Sequence, residues 1–165
     1  MPLRLHRLFG LHAAVILVAC LGGAPAFAFA QTESPAPTTS APYATPLQLF
    51  AAVERAWNAA DANVLASLCD SAVVRVALKP GSPPATAPTL GAVAFLIQDQ
   101  LRLVVSRRFH VVRFEVDQKK RTARAWARWV GEWGGARNTR DVQVNLQARA
   151  AADGGWLLTE IRANN

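Results

Sequence analysis

The hydrophobic period of this chain changes once, near Arg108, from the 3.6-residue spacing of helices to the two-residue alternation of strands. Beyond that point Phe109–Asp117, Thr122–Trp133, Arg140–Arg149 and Trp156–Ile161 read as four strands. The joins Gln118–Arg121, Gly134–Asn138 and Asp153–Gly155 are too short for parallel crossovers, which need a dozen or more residues, so the strands form an antiparallel meander. In the second strand Ala123, Ala125, Ala127, Trp129, Gly131 and Trp133 share one face, and Arg124, Trp126, Arg128, Val130 and Glu132 the other. The small apolar set belongs under helices, because close helix–sheet packing requires small side chains. A four-residue turn pairs Asp117 with Thr122, and unbroken alternation then sets Val116 against Ala123, Phe114 against Ala125, Val112 against Ala127 and His110 against Trp129. The third strand adds Val142, Val144, Leu146 and Ala148 to the inner face and sends Asp141, Gln143, Asn145, Gln147 and Arg149 outward. For the last strand two registers stay open, with either Leu157, Thr159 and Ile161 or Trp156 and Leu158 inside.

Upstream, Thr45-Pro46-Leu47-Gln48 carries a capping residue, a proline suited to the first helical position and a capping-box glutamine. Leu47, Phe50, Val53/Glu54 and Trp57 follow at helical spacing, and Asn58-Ala-Ala closes this first helix. Asp61 caps a shorter second helix with Val64, Leu65 and Leu68 on its apolar side, and Val73–Leu78 reads as a strand. Lys79–Thr89 holds four prolines in eleven residues and is predicted to be an ordered loop or flap without secondary structure. Leu90–Val105 is predicted as the third helix, with Val93, Leu96, Ile97, Leu101 and Val104 as its apolar stripe. The sum is an α+β fold in which three N-terminal helices cover one face of a curved, mostly antiparallel sheet.

The averages for all 165 residues, 52% hydrophobic and a net charge of +7, blend this domain with a different kind of segment. Residues 1–30 have a basic start (Arg4, Arg7), an apolar run at Ala13–Ala19 and a small-x-small pattern at Ala28-Phe29-Ala30, the composition of an export signal cut after Ala30. The alternative is Leu17-Val-Ala-Cys20, a lipobox-like sequence in which Cys20 would carry a lipid; only that reading attaches the chain to a membrane. Residues 31–44, rich in Pro, Ser, Thr and Ala, form a linker, and residues 45–165 the domain. Removing the leader takes two arginines and no acids, so +7 − 2 leaves +5, with Cys69 and His110 as the remaining cysteine and histidine. That inventory excludes an intramolecular disulfide and a His/Cys metal centre, and no cofactor motif is present. Export and the lack of any nucleic-acid motif exclude nucleic acid as the partner of the basic charge, and Arg107-Arg108 and Lys119-Lys-Arg121 read as solvated hairpin ends.

Two stretches carry a family resemblance: Trp57-Asn-Ala-Ala-Asp61 through Val74, and the closing Asp153-Gly-Gly-Trp156-Leu-Leu-Thr-Glu-Ile161. Together with the element order they resemble the nuclear transport factor 2-like superfamily, a cone-shaped α+β roll with ketosteroid isomerase-like and polyketide cyclase-like members. The resemblance spans about residues 45–162 and implies a pocket at the wide end of the cone. Its candidate ligand-binding lining here is Trp57, His110, Trp129 and Trp133, with the proline loop near the mouth; by the resemblance, the family's hairpin after the first strand is expected to be replaced by that loop. It also implies dimerisation through the outer sheet face, for which Arg124, Trp126, Arg128 and Asn145 are the candidate residues. The resemblance and the residues together favour an exported, non-catalytic binding domain for a small apolar ligand or a protein partner. The alternatives are a small lyase, isomerase or hydrolase using His110 and Glu54, or a structural envelope protein dimerised through its sheet.

Overall fold

The computed structural model describes residues 43–134 and 138–164; the leader, Cys20 and the linker up to residue 42 lie outside the described residues. Thr45 caps helix α1 (Pro46–Asn58) by accepting the Gln48 N–H at 3.3 Å, with Pro46 in the first turn as its missing donor allows. The helix ends in paired bonds from Ala60 N to Trp57 O and from Asp61 N to Ala56 O, which place Ala60 at φ 53°. That reversal is one glycine usually provides. Asp61 then caps α2 (Ala62–Ser67) by accepting from Asn63 and Val64.

Strand β1 (Val74–Ala77) is followed by β2 (Ala85–Ala87), which pairs with it antiparallel. The proline-rich segment therefore contains a short strand after all, and the hairpin expected to be missing is present in reduced form. Helix α3 (Leu90–Arg102) stops earlier than its apolar stripe suggests, because Val104 already pairs with Trp133 at the start of β3 (Val104–Asp117). Gly131 makes that approach possible: a Cβ there would lie 2.7 Å from a Val104 methyl. The meander continues through β4 (Thr122–Trp133), β5 (Thr139–Ala150) and β6 (Trp156–Asn164). The sheet order is β2-β1-β6-β5-β4-β3, with β1 and β6 parallel and every other pair antiparallel, curled into a half-barrel.

Ala123, Ala125, Ala127 and Trp129 are buried beside Val142, Val144, Leu146 and Ala148, as the alternation predicts. Three one-residue insertions break it elsewhere, two in β3, at Arg107 and Val112, and one in β6. In β3 the register holds from Asp117–Thr122 to Arg113–Trp126, then shifts at Val112, so that Val111 faces Ala127, His110 faces Arg128 and Phe109 faces Trp129. The expected His110–Trp129 pair is thus replaced by Phe109–Trp129, and His110 turns away from the core. In β6 a shift at Thr159 buries Trp156 and Leu158 before it and Ile161 and Ala163 after it, so neither of the two open registers holds throughout.

Strand β3 is an edge of the sheet, and α1 covers its middle with side chains in place of a neighbouring strand. Asn58 accepts the Phe109 N–H at 2.8 Å and donates to the Phe109 carbonyl at 2.9 Å, while Glu54, one turn earlier, accepts the Val111 N–H at 2.9 Å. Removing the amide in Asn58→Ala leaves two half-buried backbone groups without partners and is expected to cost about 1–3 kcal/mol, read as a lower urea midpoint at unchanged slope. At Ala60, glycine relieves the left-handed strain, so Ala60→Gly is expected to gain about 1 kcal/mol in the same measurement.

Candidate functional site

Three of the four residues predicted to line a cone pocket come together, and they pack on one another. The Trp57 indole stacks on Phe109 with centroids 4.3 Å apart and planes 16° from parallel, and meets Trp129 edge-on at 5.1 Å. Trp129 in turn meets Trp133 edge-on at 4.9 Å, and its N–H donates to the Ser106 hydroxyl at 3.0 Å. Trp57 and Trp129 are both 0% exposed, whereas Trp133 is half-buried and reaches the rim. Phe109 occupies the place predicted for His110. Such aromatic pairs add about 0.5–1.5 kcal/mol each beyond the burial of their area.

His110 lies outside this cluster, with half its side chain exposed, yet it meets the other predicted catalytic candidate. Its Nδ1 is 3.2 Å from Glu54 Oε1, while Glu54 Oε2 accepts the Val111 N–H. The pair lies at the sheet edge on the flank of α1, so its geometry is that of a clamp between helix and strand. Burial pushes the Glu54 carboxyl up, but the Val111 N–H, the His110 ring and the Arg108 charge outweigh it and hold the group below its ordinary 4.5. Cys69 is buried, donates to the Leu65 carbonyl at 3.4 Å, and its thiol is pushed up to about 12 by burial and by Asp70, which leaves it unreactive at neutral pH. The two buried carboxylates among the described residues, Asp70 and Glu160, pair with Arg149 and Arg75 respectively. No group of three or more His, Cys, Asp or Glu among the described residues is arranged to hold a metal ion.

Open space lies at the mouth of the cone. A cleft of about 870 Å³ runs between the end of α3, the β1–β2 connection, the end of β4 and the start of β5. Trp133, Leu103 and Val142 give it apolar walls, and Lys79, Gln100, Arg140 and Asp141 line it with polar groups. Sequence reasoning placed Trp133 and the proline loop here. It missed Leu103, which it read as part of a longer helix, and Arg140, for which a strand-end position carries no signal of its own.

On the outer sheet face the four predicted interface residues form part of a bonded surface. The Arg113 guanidinium lies 4.1 Å above the Trp126 ring, Arg128 pairs with Asp141, Asn145 accepts from Gln143 at 2.9 Å, and Arg124 stands opposite Glu115. A shallow hollow of about 580 Å³ beside Trp126 is lined by Val112, Arg113, Arg128 and Gln143.

Helices on a curled, mostly antiparallel sheet, with the meander in this order, define the nuclear transport factor 2-like fold, and comparison with solved structures bears it out. A protein of ketosteroid isomerase-like fold from Catenulispora acidiphila, solved in complex with trimethylamine, superposes with a TM-score of 0.58 at 14% identity, over 73% of this chain and 86% of that one. A DUF4783 family protein from Bacteroides ovatus gives 0.57 at 12% identity, over 70% and 93%. A nuclear transport factor 2-like protein from Streptomyces avermitilis, a candidate dehydratase, gives 0.55 at 21% identity, over 71% and 90%. The sequence matches no protein-family model and no curated protein. At these identities the likeness establishes the fold, which hosts both ligand-binding and catalytic proteins.

Because Glu54 is held ionised in the folded chain, the unfolded chain takes up its proton more readily. Its contribution to stability is therefore present above pH 4.5 and lost as pH falls through the lower folded-state value. Glu54→Gln is expected to lose less stability than the parent between pH 5 and pH 3, measured as urea midpoints across that range.

Proposed function

We propose that this chain is an exported, non-catalytic binding domain whose mouth cleft takes a small ligand with a planar apolar body and an anionic group. The observation that carries the reading is the indole stack. With Trp57, Phe109 and Trp129 in mutual contact, the interior that would surround reacting atoms is occupied by packed rings. The carboxylate–imidazole pair that an enzyme reading requires spends its contacts on the β3 edge, away from the cleft. The cleft itself has the mixture a ligand site uses, apolar walls with a few polar groups at the rim.

The charge of the rim favours the sign of the ligand. Lys79 and Arg140 line it together with one carboxylate, Asp141, which is already paired with Arg128, whereas the Catenulispora protein was solved with trimethylamine, an amine that is protonated at neutral pH. Two cationic side chains would repel such a ligand and attract a carboxylate or sulfonate. The leader at residues 1–30 supports an exported location, periplasmic or secreted, with the lipid anchor at Cys20 as the alternative.

Anilinonaphthalene sulfonate, which joins fused rings to a sulfonate, is a suitable probe. The folded chain is expected to bind it saturably at one site, with Trp133 fluorescence quenched on binding. Arg140→Gln is expected to weaken the affinity about fivefold, the scale of one exposed charge pair, and Trp133→Ala by at least as much. Absence of saturable binding, or binding indifferent to both substitutions, would refute the mouth-cleft reading.

A further inference from the structure

The half-barrel has two edges, and they are protected unequally. Edge strand β2 is three residues long and flanked by Pro83, Pro84 and Pro88, which lack the donors a new strand would need. On the other edge, Asn58 and Glu54 cover Phe109 and Val111 of β3, and the exposed Arg108 adds a charge before them. Residues 112–117 lack this cover: among the described residues, no group from another element bonds their outward edge. Val112 is 57% exposed and Phe114 39%, and beside them a groove of about 380 Å³ between α1 and β3 is lined by Leu47, Phe50, Val112 and Phe114. Leu47, at its lip, is 59% exposed. A bare edge next to an apolar groove is a template for strand addition.

We infer that the strand added there is residues 112–116 of a second copy of this chain, antiparallel and centred on Phe114. The argument is charge complementarity within the segment Val112-Arg113-Phe114-Glu115-Val116. Centred on Phe114, Arg113 stands opposite the partner's Glu115 and Glu115 opposite the partner's Arg113, while Phe114 meets the partner's Phe114 and Val112 the partner's Val116. Opposite charges directly across a strand pair stabilise it and like charges destabilise it. Centring on Arg113 would set arginine against arginine, and centring on Glu115 glutamate against glutamate. Shifting by a single residue would oppose charged and apolar side chains and exchange their faces. A parallel in-register pair would stack every charge on itself. One register therefore satisfies the segment, and it is a two-fold, self-complementary one. The contact continues the sheet across the dimer and lets Leu47 and Phe50 of each copy shelter the paired phenylalanines. It shares Val112 and Arg113 with the outer-face surface around Trp126 but runs along the strand edge, and it is independent of the mouth-cleft reading.

Sedimentation equilibrium of the purified chain over a wide concentration range tests this. A reversible monomer–dimer equilibrium is expected. Glu115→Arg, and separately Arg113→Glu, should weaken it about tenfold or more, since each places like charges across both symmetric pairs. The double substitution Arg113→Glu with Glu115→Arg should restore association to within about threefold of the parent. Far-ultraviolet circular dichroism checks that each variant is folded. A monomer at every concentration overturns the inference and leaves the edge to another partner. So does a dimer indifferent to Glu115→Arg but broken by Trp126→Glu, which would place the contact on the outer face. A double variant as weak as either single one overturns it as well, because complementarity would then not be the cause.

Discussion

The docking of α1 across the middle of β3 is the contact on which the rest of the structure depends. It has two parts that reinforce each other. The Trp57 ring lies flat on Phe109, and one residue further along the helix the Asn58 amide bonds both backbone groups of that same phenylalanine. Ring stacking alone would leave the helix free to slide along the strand. The directional bonds from Asn58, and from Glu54 to Val111, fix it to one position along the edge. Once it is fixed, Trp129 lies between Trp57 and Trp133, and the mouth cleft opens beside Trp133, outside the Trp57–Trp129 contact.

The same contact explains why a bulge lies in β3. Uninterrupted alternation from the Gln118–Arg121 turn would have delivered His110 to the inner face against Trp129. Imidazole is smaller than a phenyl ring and needs an acceptor as well as a donor, whereas an indole lining offers N–H donors alone. The extra residue at Val112 exchanges it for Phe109 and turns His110 toward Glu54. A single inserted residue thus decides whether the cone has a titratable group inside it or a filled aromatic interior.

Much of this was legible in the sequence. The caps at Thr45 and Asp61, the inner alanines of β4 and the meander order follow from local chemistry and from alternation, and the structure agrees with them at residue level. The failures have a common physical origin. A bulge changes the phase of a strand without any composition signal, which is why Val112 and Thr159 were invisible and why His110 was assigned to the wrong face. The end of α3 was misjudged because Val104 fits an apolar helical stripe as well as a strand, and only the room above Gly131 decides between them. The three-residue strand β2 owes its existence to β1 beside it and not to its own alanines. As for the cleft, its walls come from segments distant in the chain, and no local pattern joins Leu103 to Arg140.

The position of β6 in the sheet has a consequence for the order of events during synthesis. The last of the six described strands lies between β1, near the start of the domain, and β5, and its parallel pairing with β1 is what joins the amino-terminal half to the meander. The buried Glu160 that pairs with Arg75 belongs to this same late segment. Until Trp156 and the residues after it have emerged, the β3–β4–β5 meander has no seam along which β1 can attach, and closure must bring together residues some 85 positions apart, as in the Arg75–Glu160 pair. The sheet can join its two halves only once β6 is available to lie between them.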